Sequence, residues 1–287
     1  MIIQPLDAAD NKLVRRVRSL RTNRGLRERL GVCVLEGIRL VEAAIQSGAE
    51  FRMVLYGPRL VETESGRGLI SKLSASSAKT VYVSERILAD LSEVETSQGI
   101  VAVASVPPVI GGWPRPASGP AMFVAADGIQ DPGNLGTIVR TAQAAGAHAL
   151  GVSKGTVDIF NPKTLRATAG SIFELPIVRL DEVWRAAADL DLSLVYTVVE
   201  DGIPYESFDW TKPLVLVLGS EGHGVTRREA GEAVSIPMAP TANSLNVASA
   251  AAVLLFHAAY VRRREGIPMV PPRLAPFGRR KGSRGSG

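Results

Sequence analysis

The sequence predicts an α/β protein of two domains, and three observations predict it. Short runs rich in Val, Leu and Ile recur along the chain and alternate with stretches of helical apolar spacing. In the second half those short runs are apolar throughout, so each strand is covered on both faces, as in a mostly parallel sheet. Between residues 106 and 120 the rhythm breaks into VPPVIGGWPRPASGP, a semi-extended linker by its Pro and Gly content. A length of 287 residues agrees with two domains.

The first domain, 1–106, opens with an arginine-rich segment in which Arg15, Arg18, Arg21, Arg24 and Arg27 recur every three residues. That step drifts around a helix, so a basic helix and loop is expected rather than a clean amphipath. GVCVLEG reads as a buried strand. IRLVEAAIQSG follows as a helix with apolar Ile38, Val41 and Ile45 and a terminal Gly48. RMVLYG, TVYVS and GIVAVAS are further strands and SERILADLSEV a helix, which makes a small α/β domain. After the linker, 107–120, the second domain spans 121–265. Its strands are AMFVAAD, ALGVS, LSLVYTVV, PLVLVLG and AVSIPM, and its helices include NLGTIVRTAQAAG and NSLNVASAAAVLLFHAAYVRRR. The tail, 266–287, ends in GRRKGSRGSG and has no apolar period, so it reads as basic and disordered.

Composition narrows the function classes. Aromatics are 5% of the chain, so the core is expected to be Val, Leu, Ile and Ala. A net charge of +5 suits a polyanionic partner but decides nothing alone. Cys33 is the only cysteine; it forms no disulfide or zinc site within the chain and reads as a small buried hydrophobe in a reducing compartment. No run of 18 apolar residues occurs and the N-terminus lacks the order of a signal peptide, so a cytoplasmic protein without a membrane span is expected. His148, His223 and His257 have no ligand-spaced partners, and no metal is expected.

Parallel α/β sheets bind ligands beyond the carboxyl ends of their strands. Three loops of the second domain have the composition for it. In the first, Asp131-Pro132-Gly133-Asn134 has turn chemistry, with Asn134 placed to cap the helix that begins near Leu135. Arg140 follows six residues on, about 9 Å along the helix axis, as either a surface arginine or a cation held at a site. In the second, LVLGSEGHGV, Gly219, Gly222 and Gly224 follow a strand without the lysine of a Walker loop or the spacing of a dinucleotide motif. Glu221 there suits a ligand with hydroxyls or positive charge; a tight strand-to-helix turn is the plain alternative. In the third, Ser244, Leu245 and Asn246 open an Ala-rich helix, with Asn243 or Ser244 placed as its N-cap.

Taken together, the stretches DGIQDPGNLGTIVRTAQAAGA, LVLGSEGHGV and IPMAPTANSLNVASAAAVLLFHAAY resemble the three motifs of the SpoU/TrmH branch of the SPOUT family. These are S-adenosylmethionine-dependent RNA ribose 2′-O-methyltransferases. A fourth block, Val157–Val178, resembles the family's substrate-side segment, and the N-terminal part resembles the L30e-like substrate-binding domain of many members. The resemblance implies a parallel-sheet SPOUT domain with a deep trefoil knot and a homodimer through that domain. It places S-adenosylmethionine on Leu218, Gly219, Ile236, Met238, Leu245 and Asn246. It assigns catalytic positions to Asn134, Arg140, Glu221, Ser244 and Asn246, and makes RNA the partner of Arg15, Arg18, Arg21, Arg24, Arg27, Lys163 and Arg166. The motif-one stretch TAQAAGA lacks an aromatic that many members carry. Arginine holds its proton up to a pKa above about 12, so a cation that stabilises an alkoxide is preferred for Arg140 over a base, which stays open. The L30e-like segment favours rRNA over tRNA; a silent RNA-binding protein of the same fold and a nucleotide-binding regulator are the rivals.

Overall fold

In the computed structural model, which describes residues 5–93, 97–116, 118–179, 187, 190–220, 224–225 and 231–268, the apolar runs form two separate sheets. The first contains β1 (Val32–Glu36), β2 (Phe51–Tyr56), β3 (Lys79–Tyr82) and β4 (Ile100–Ser105), in the order β1-β4-β2-β3. β4 runs antiparallel to β1 and β2, and β3 joins β2 in parallel. Pleating sends Val32 and Val34 to one face and Cys33 and Leu35 to the other. The first face is covered by α1 (Lys12–Thr22) and, six helices into the chain, by α6 (Glu85–Leu91). The second packs on α3 (Ile38–Gln46), α4 (Pro58–Glu62) and α5 (Glu64–Ser74).

The arginine-rich segment differs from expectation. It is two helices, α1 and α2 (Arg24–Leu30), joined at Asn23, whose side chain accepts from the Leu26 amide. α1 is a true amphipath: Val14, Val17 and Leu20 are buried. They share the arginines' step of three, and over so few repeats the drift covers only about 120°, the width of an ordinary apolar face.

The second sheet contains β5 (Val109–Ile110), β6 (Met122–Asp127), β7 (Ala149–Val152), β8 (Ile177–Arg179), β9 (Ser193–Val198), β10 (Ile203–Pro204), β11 (Leu214–Gly219) and β12 (Glu232–Ser235). Its order is β10-β12-β9-β11-β6-β7-β8-β5, with every pairing parallel. Met122, Val124 and Ala126 of β6 face α7 (Pro132–Ala144), α8 (Pro162–Thr168) and α9 (Val247–Arg264), while Phe123 and Ala125 face the other side. The Pro/Gly stretch read as a linker is docked onto this sheet. Val109 and Ile110 pair with β8, and Trp113 is buried with its ring stacked 4.6 Å from Phe123. Two residues without proline suffice to add an edge strand, and one tryptophan anchors the rest.

Two features fix the remaining geometry. The apolar core is continuous across the domains: Leu35, Leu40 and Ala44 belong to the same cluster as Leu165, Ile172 and Phe173. Contact is close enough that a Cβ on Gly170 would lie 2.7 Å from that of Ala43, and Gly170 has a φ of +103°. At the base of the second sheet, Arg262 of α9 is 3% exposed and donates to the carbonyls of Trp210 (2.8 Å), Pro120 (2.7 Å), Ala121 (3.0 Å) and Lys212 (2.6 Å). Burial pulls its pKa down to about 10, which still leaves it charged at neutral pH. The tail beyond Pro268 lies outside the described residues.

Candidate active site

The β6 strand ends at buried Asp127, and the chain turns into α7 through Gly128–Asp131. Asp131, not Asn134, is the N-cap: its Oδ1 accepts from the Asn134 amide at 2.7 Å, and Pro132 holds the first helical position. A proline there needs no partner for the hydrogen it lacks, so the residue before it becomes the cap. The Asn134 side chain is therefore not used as a cap; its Oδ1 accepts from Asn246 Nδ2 at 3.0 Å. Asn246 is in turn the N-cap of α9, rather than Asn243 or Ser244, and its Oδ1 accepts from the amides of Ala248 (2.9 Å) and Ser249 (3.3 Å). Two motifs far apart in sequence thus meet at one amide–amide bond. It joins two helix N-termini, whose partial positive charge favours an anion or a developing alkoxide.

Beside this pair lies a cavity of about 350 Å³. Gly219, Ile236, Met238, Ser244 and Leu245 all line it. Leu218 is fully buried at the end of β11, and Asn246 is adjacent in sequence but is not a lining residue. Gly219 admits no side chain, since a Cβ there would lie 2.3 Å from the Gly224 carbonyl carbon. Ser220 and Gly224 exchange two backbone hydrogen bonds of 3.1 and 2.9 Å. Glu221, Gly222 and His223 lie outside the described residues. Sequence reasoning missed the other wall, Thr197, Val198 and Glu200 at the end of β9. Only the strand order, with β9 beside β11, brings that end to the cavity.

Arg140 lies on the exposed face of α7 with Thr137 and Ala144, and makes no hydrogen bond or ion pair among the described residues. The predicted RNA-binding cations divide. Arg15 and Lys163 are exposed, the latter 3.9 Å from Asp131. Arg24 is exposed and pairs with Glu28 at 2.8 Å, and Arg18 pairs with Asp90. Three others are held by protein groups. Arg27 is 3% exposed and donates to the carbonyls of Leu20 and Arg21 and to Asp158 of the other domain. Arg21 lies 3.3 Å from Glu93, and Arg166 lies 3.3 Å from Glu36 and 3.5 Å from Glu93. Arg27 and Arg166 tie the two domains together, while Arg21 meets Glu36 and Glu93 within its own domain.

Other titratable groups have structural places. Burial pushes the Cys33 thiol up to about 12, which leaves no thiolate to react. His148 Nδ1 accepts from the Met122 amide at 3.1 Å, and burial lowers its pKa. Among the described residues no group of three or more His, Cys, Asp and Glu is placed to hold a metal ion. No described helix is long and apolar enough to cross a membrane.

Known proteins share this fold. Residues 121–256 match the SpoU rRNA Methylase family, and residues 11–102 match the MRM3-like substrate binding domain. The chain is 31% identical over 264 residues to the 23S rRNA (guanosine(2553)-2′-O)-methyltransferase RlmP of Bacillus subtilis, covering 89% of this chain and 99% of the relative. It is 34% identical over 255 residues to the 23S rRNA (uridine(2479)-2′-O)-methyltransferase of Streptomyces viridochromogenes, covering 84% and 86%. The AdoMet-bound rRNA methyltransferase from Sinorhizobium meliloti superposes with a TM-score of 0.79 at 30% identity, over 91% of this chain and 98% of that one. The SpoU methyltransferase AviRb from Streptomyces viridochromogenes, in complex with AdoMet, superposes with a TM-score of 0.77 at 30% identity, over 88% and 98%. With both domains matched and the cavity in place, the chain belongs to the SpoU rRNA methylase family.

Proposed function

We propose that the protein transfers a methyl group from S-adenosylmethionine to a ribose 2′-hydroxyl of ribosomal RNA, with 23S rRNA as the favoured target. The observation that carries this reading is the Asn134–Asn246 bond beside the 350 Å³ cavity. The cavity falls in the size range of a small-ligand pocket, about 300–1,000 Å³. Its walls mix apolar Ile236, Met238 and Leu245 with backbone that Gly219 leaves bare, which fits a nucleoside cofactor. Leu218, Gly219, Ile236, Met238, Leu245 and Asn246 are the proposed cofactor residues. When bound, S-adenosylmethionine supplies an electrophilic methyl group on its sulfonium.

The chain's residues then have one task, which is to hold a ribose oxygen in line with that carbon. Such alignment is worth about 7–11 kcal/mol. Asn134 and Asn246 fix the relative position of α7 and α9, and Ser244 orients the ligand at the cavity wall. The Arg140 guanidinium stabilises the alkoxide as the hydroxyl proton leaves to water. Glu221 completes the proposed catalytic set with Asn134, Arg140, Ser244 and Asn246. Arg15 and Lys163 are the proposed phosphate contacts.

The same reading includes a homodimer, a trefoil knot and a cytoplasmic location. Val253, Phe256 and Tyr260 form an exposed apolar stripe on α9, 38%, 52% and 48% accessible, that a second copy would cover. Insertion of β11 between β6 and β9, with α9 returning against α7, supports the knot. The relatives' 23S rRNA targets and the substrate-binding match support rRNA over tRNA. The test is methyl transfer from labelled S-adenosylmethionine to 23S rRNA, 16S rRNA and tRNA. Alkali-resistant label in 23S rRNA that is lost with Arg140→Ala is expected. Label in tRNA alone refutes the target, and cofactor binding without label in free RNA or ribosomal subunits refutes the activity.

A further inference from the structure

A second cavity, of about 1290 Å³, separates the two domains. One wall is the N-terminal domain at Arg24, Arg27 and Gly31; the other is the carboxyl edge of β7 and β8 with the loop between Ser153 and Phe160. It exceeds the about 300–1,000 Å³ of a small-molecule pocket, so a polymer segment suits it better than a metabolite. Its charge is uneven. Arg24 is neutralised by Glu28 and Arg27 by Asp158. Lys154 and Arg179 are exposed on the far wall and have no ion pair among the described residues. Behind them the floor is apolar, with Val152, Ile177 and the half-buried ring of Phe160. Unpaired cations over an apolar, aromatic floor fit a polyanion whose subunits also carry flat hydrophobic faces.

The cleft also reaches the turn that leads into the candidate active site. Gln130 lines it and donates to the carbonyls of Gly128 and Gly155. The next residue, Asp131, caps the helix that holds Asn134. Its width is preset by the Arg27–Asp158 pair, which spans the two walls. We propose that this cleft binds the single-stranded RNA segment flanking the target nucleotide, with one base stacked on Phe160 and phosphates on Lys154 and Arg179. The proposal rests on the RNA methylation reading above. It adds a specificity site: the neighbour of the modified nucleotide is held unstacked, and the methylated one is thereby placed at the cavity.

The test uses the full chain, fluorescein-labelled oligouridylate of ten nucleotides, and methyl transfer to an unmodified 23S rRNA transcript. Lys154→Gln/Arg179→Gln is expected to weaken oligouridylate binding about tenfold and to reduce the salt slope by about 1.4, for two single-strand phosphate contacts. Phe160→Leu is expected to weaken it about tenfold with the slope unchanged, because stacking carries no counterions. For both, the KM for rRNA rises about tenfold, kcat stays within about twofold, and the Kd for S-adenosylmethionine is unchanged, which also shows that the variants fold. Unchanged oligouridylate affinity and rRNA KM in both variants, with methyl transfer intact, overturns the cleft and leaves the proposed function standing. If wild type methylates no RNA, that function falls, and the oligouridylate arm alone decides the cleft. Cross-links from a photoreactive group at residue 154 to ribosomal protein rather than RNA, on ribosomal particles, also overturn it.

Discussion

Substituting Asn246 separates stability from activity at a single atom. In Asn246→Ala, the helix α9 loses the acceptor for the Ala248 and Ser249 amides and the donor to Asn134 together. Loss of such a cap costs about 1 kcal/mol, a fall in Tm of about 2–4 °C for a domain of this size. Asn246→Asp keeps the acceptor, and an anion at a helix N-terminus adds about 0.3–1 kcal/mol, which roughly offsets the lost bond to Asn134, so its Tm is expected to stay near wild type and above the alanine variant. What Asp cannot do is donate to Asn134 Oδ1; two oxygens then face each other where a 3.0 Å bond had been. The lost bond alone is worth about 0.5–1.5 kcal/mol, or roughly 2–13-fold in rate. Repulsion that pushes the two helix ends apart by a fraction of an ångström raises this, and a kcat loss of about 10–100-fold is expected. The assay is methyl transfer at saturating rRNA and S-adenosylmethionine, with thermal unfolding in parallel. Turnover of Asn246→Asp within twofold of wild type would refute the claim that the bond aligns the site. So would a Tm as low as that of the alanine variant.

Three further outcomes follow from buried polar groups. Arg262→Met strands the carbonyls of Trp210, Pro120 and Lys212 at the base of the second sheet, while that of Ala121 keeps the Leu214 amide, and is expected to lower stability by about 3–5 kcal/mol in urea denaturation, with Arg262→Lys intermediate. A loss under about 1 kcal/mol for the methionine variant contradicts the bonding described. A double-mutant cycle of Arg27→Met and Asp158→Leu is expected to give a coupling energy of about 1–3 kcal/mol, because the pair is largely buried between the domains; additive effects would deny it that role. Burial depresses the pKa of His148 in the folded state below its unfolded value of about 6.5, so below that pH the unfolded chain holds a proton that the folded one does not. Stability is therefore lost as pH falls through about 6.5, and His148→Gln, which keeps an acceptor for the Met122 amide, flattens that dependence in urea midpoints at pH 7.5 and 5.5.

The strands of the parallel sheet were legible because burial on both faces leaves a continuous apolar run, as in Leu214–Gly219. Helix starts were legible only as regions. Asp131 was passed over for Asn134 although Pro132 beside it marks the first helical position, and Asn246 was passed over because three polar residues precede α9 and any of them has capping chemistry. The arginines were read from charge, spacing and the family resemblance. Whether such a cation meets solvent or Glu36 depends on packing between domains, which no local pattern encodes. Wall residues such as Glu200 were invisible for a similar reason: they join the cavity through strand order, and order is a property of the sheet rather than of any segment.

The uninterrupted core from β1 and α3 into α8 turns the two domains into a caliper of fixed opening. An RNA gripped by the N-terminal jaw presents to the other jaw only the nucleotide at one set distance in space. Lengthening or shortening the substrate by one base pair between the two jaws would move the methyl mark along the strand, without any change in the residues that carry out the transfer.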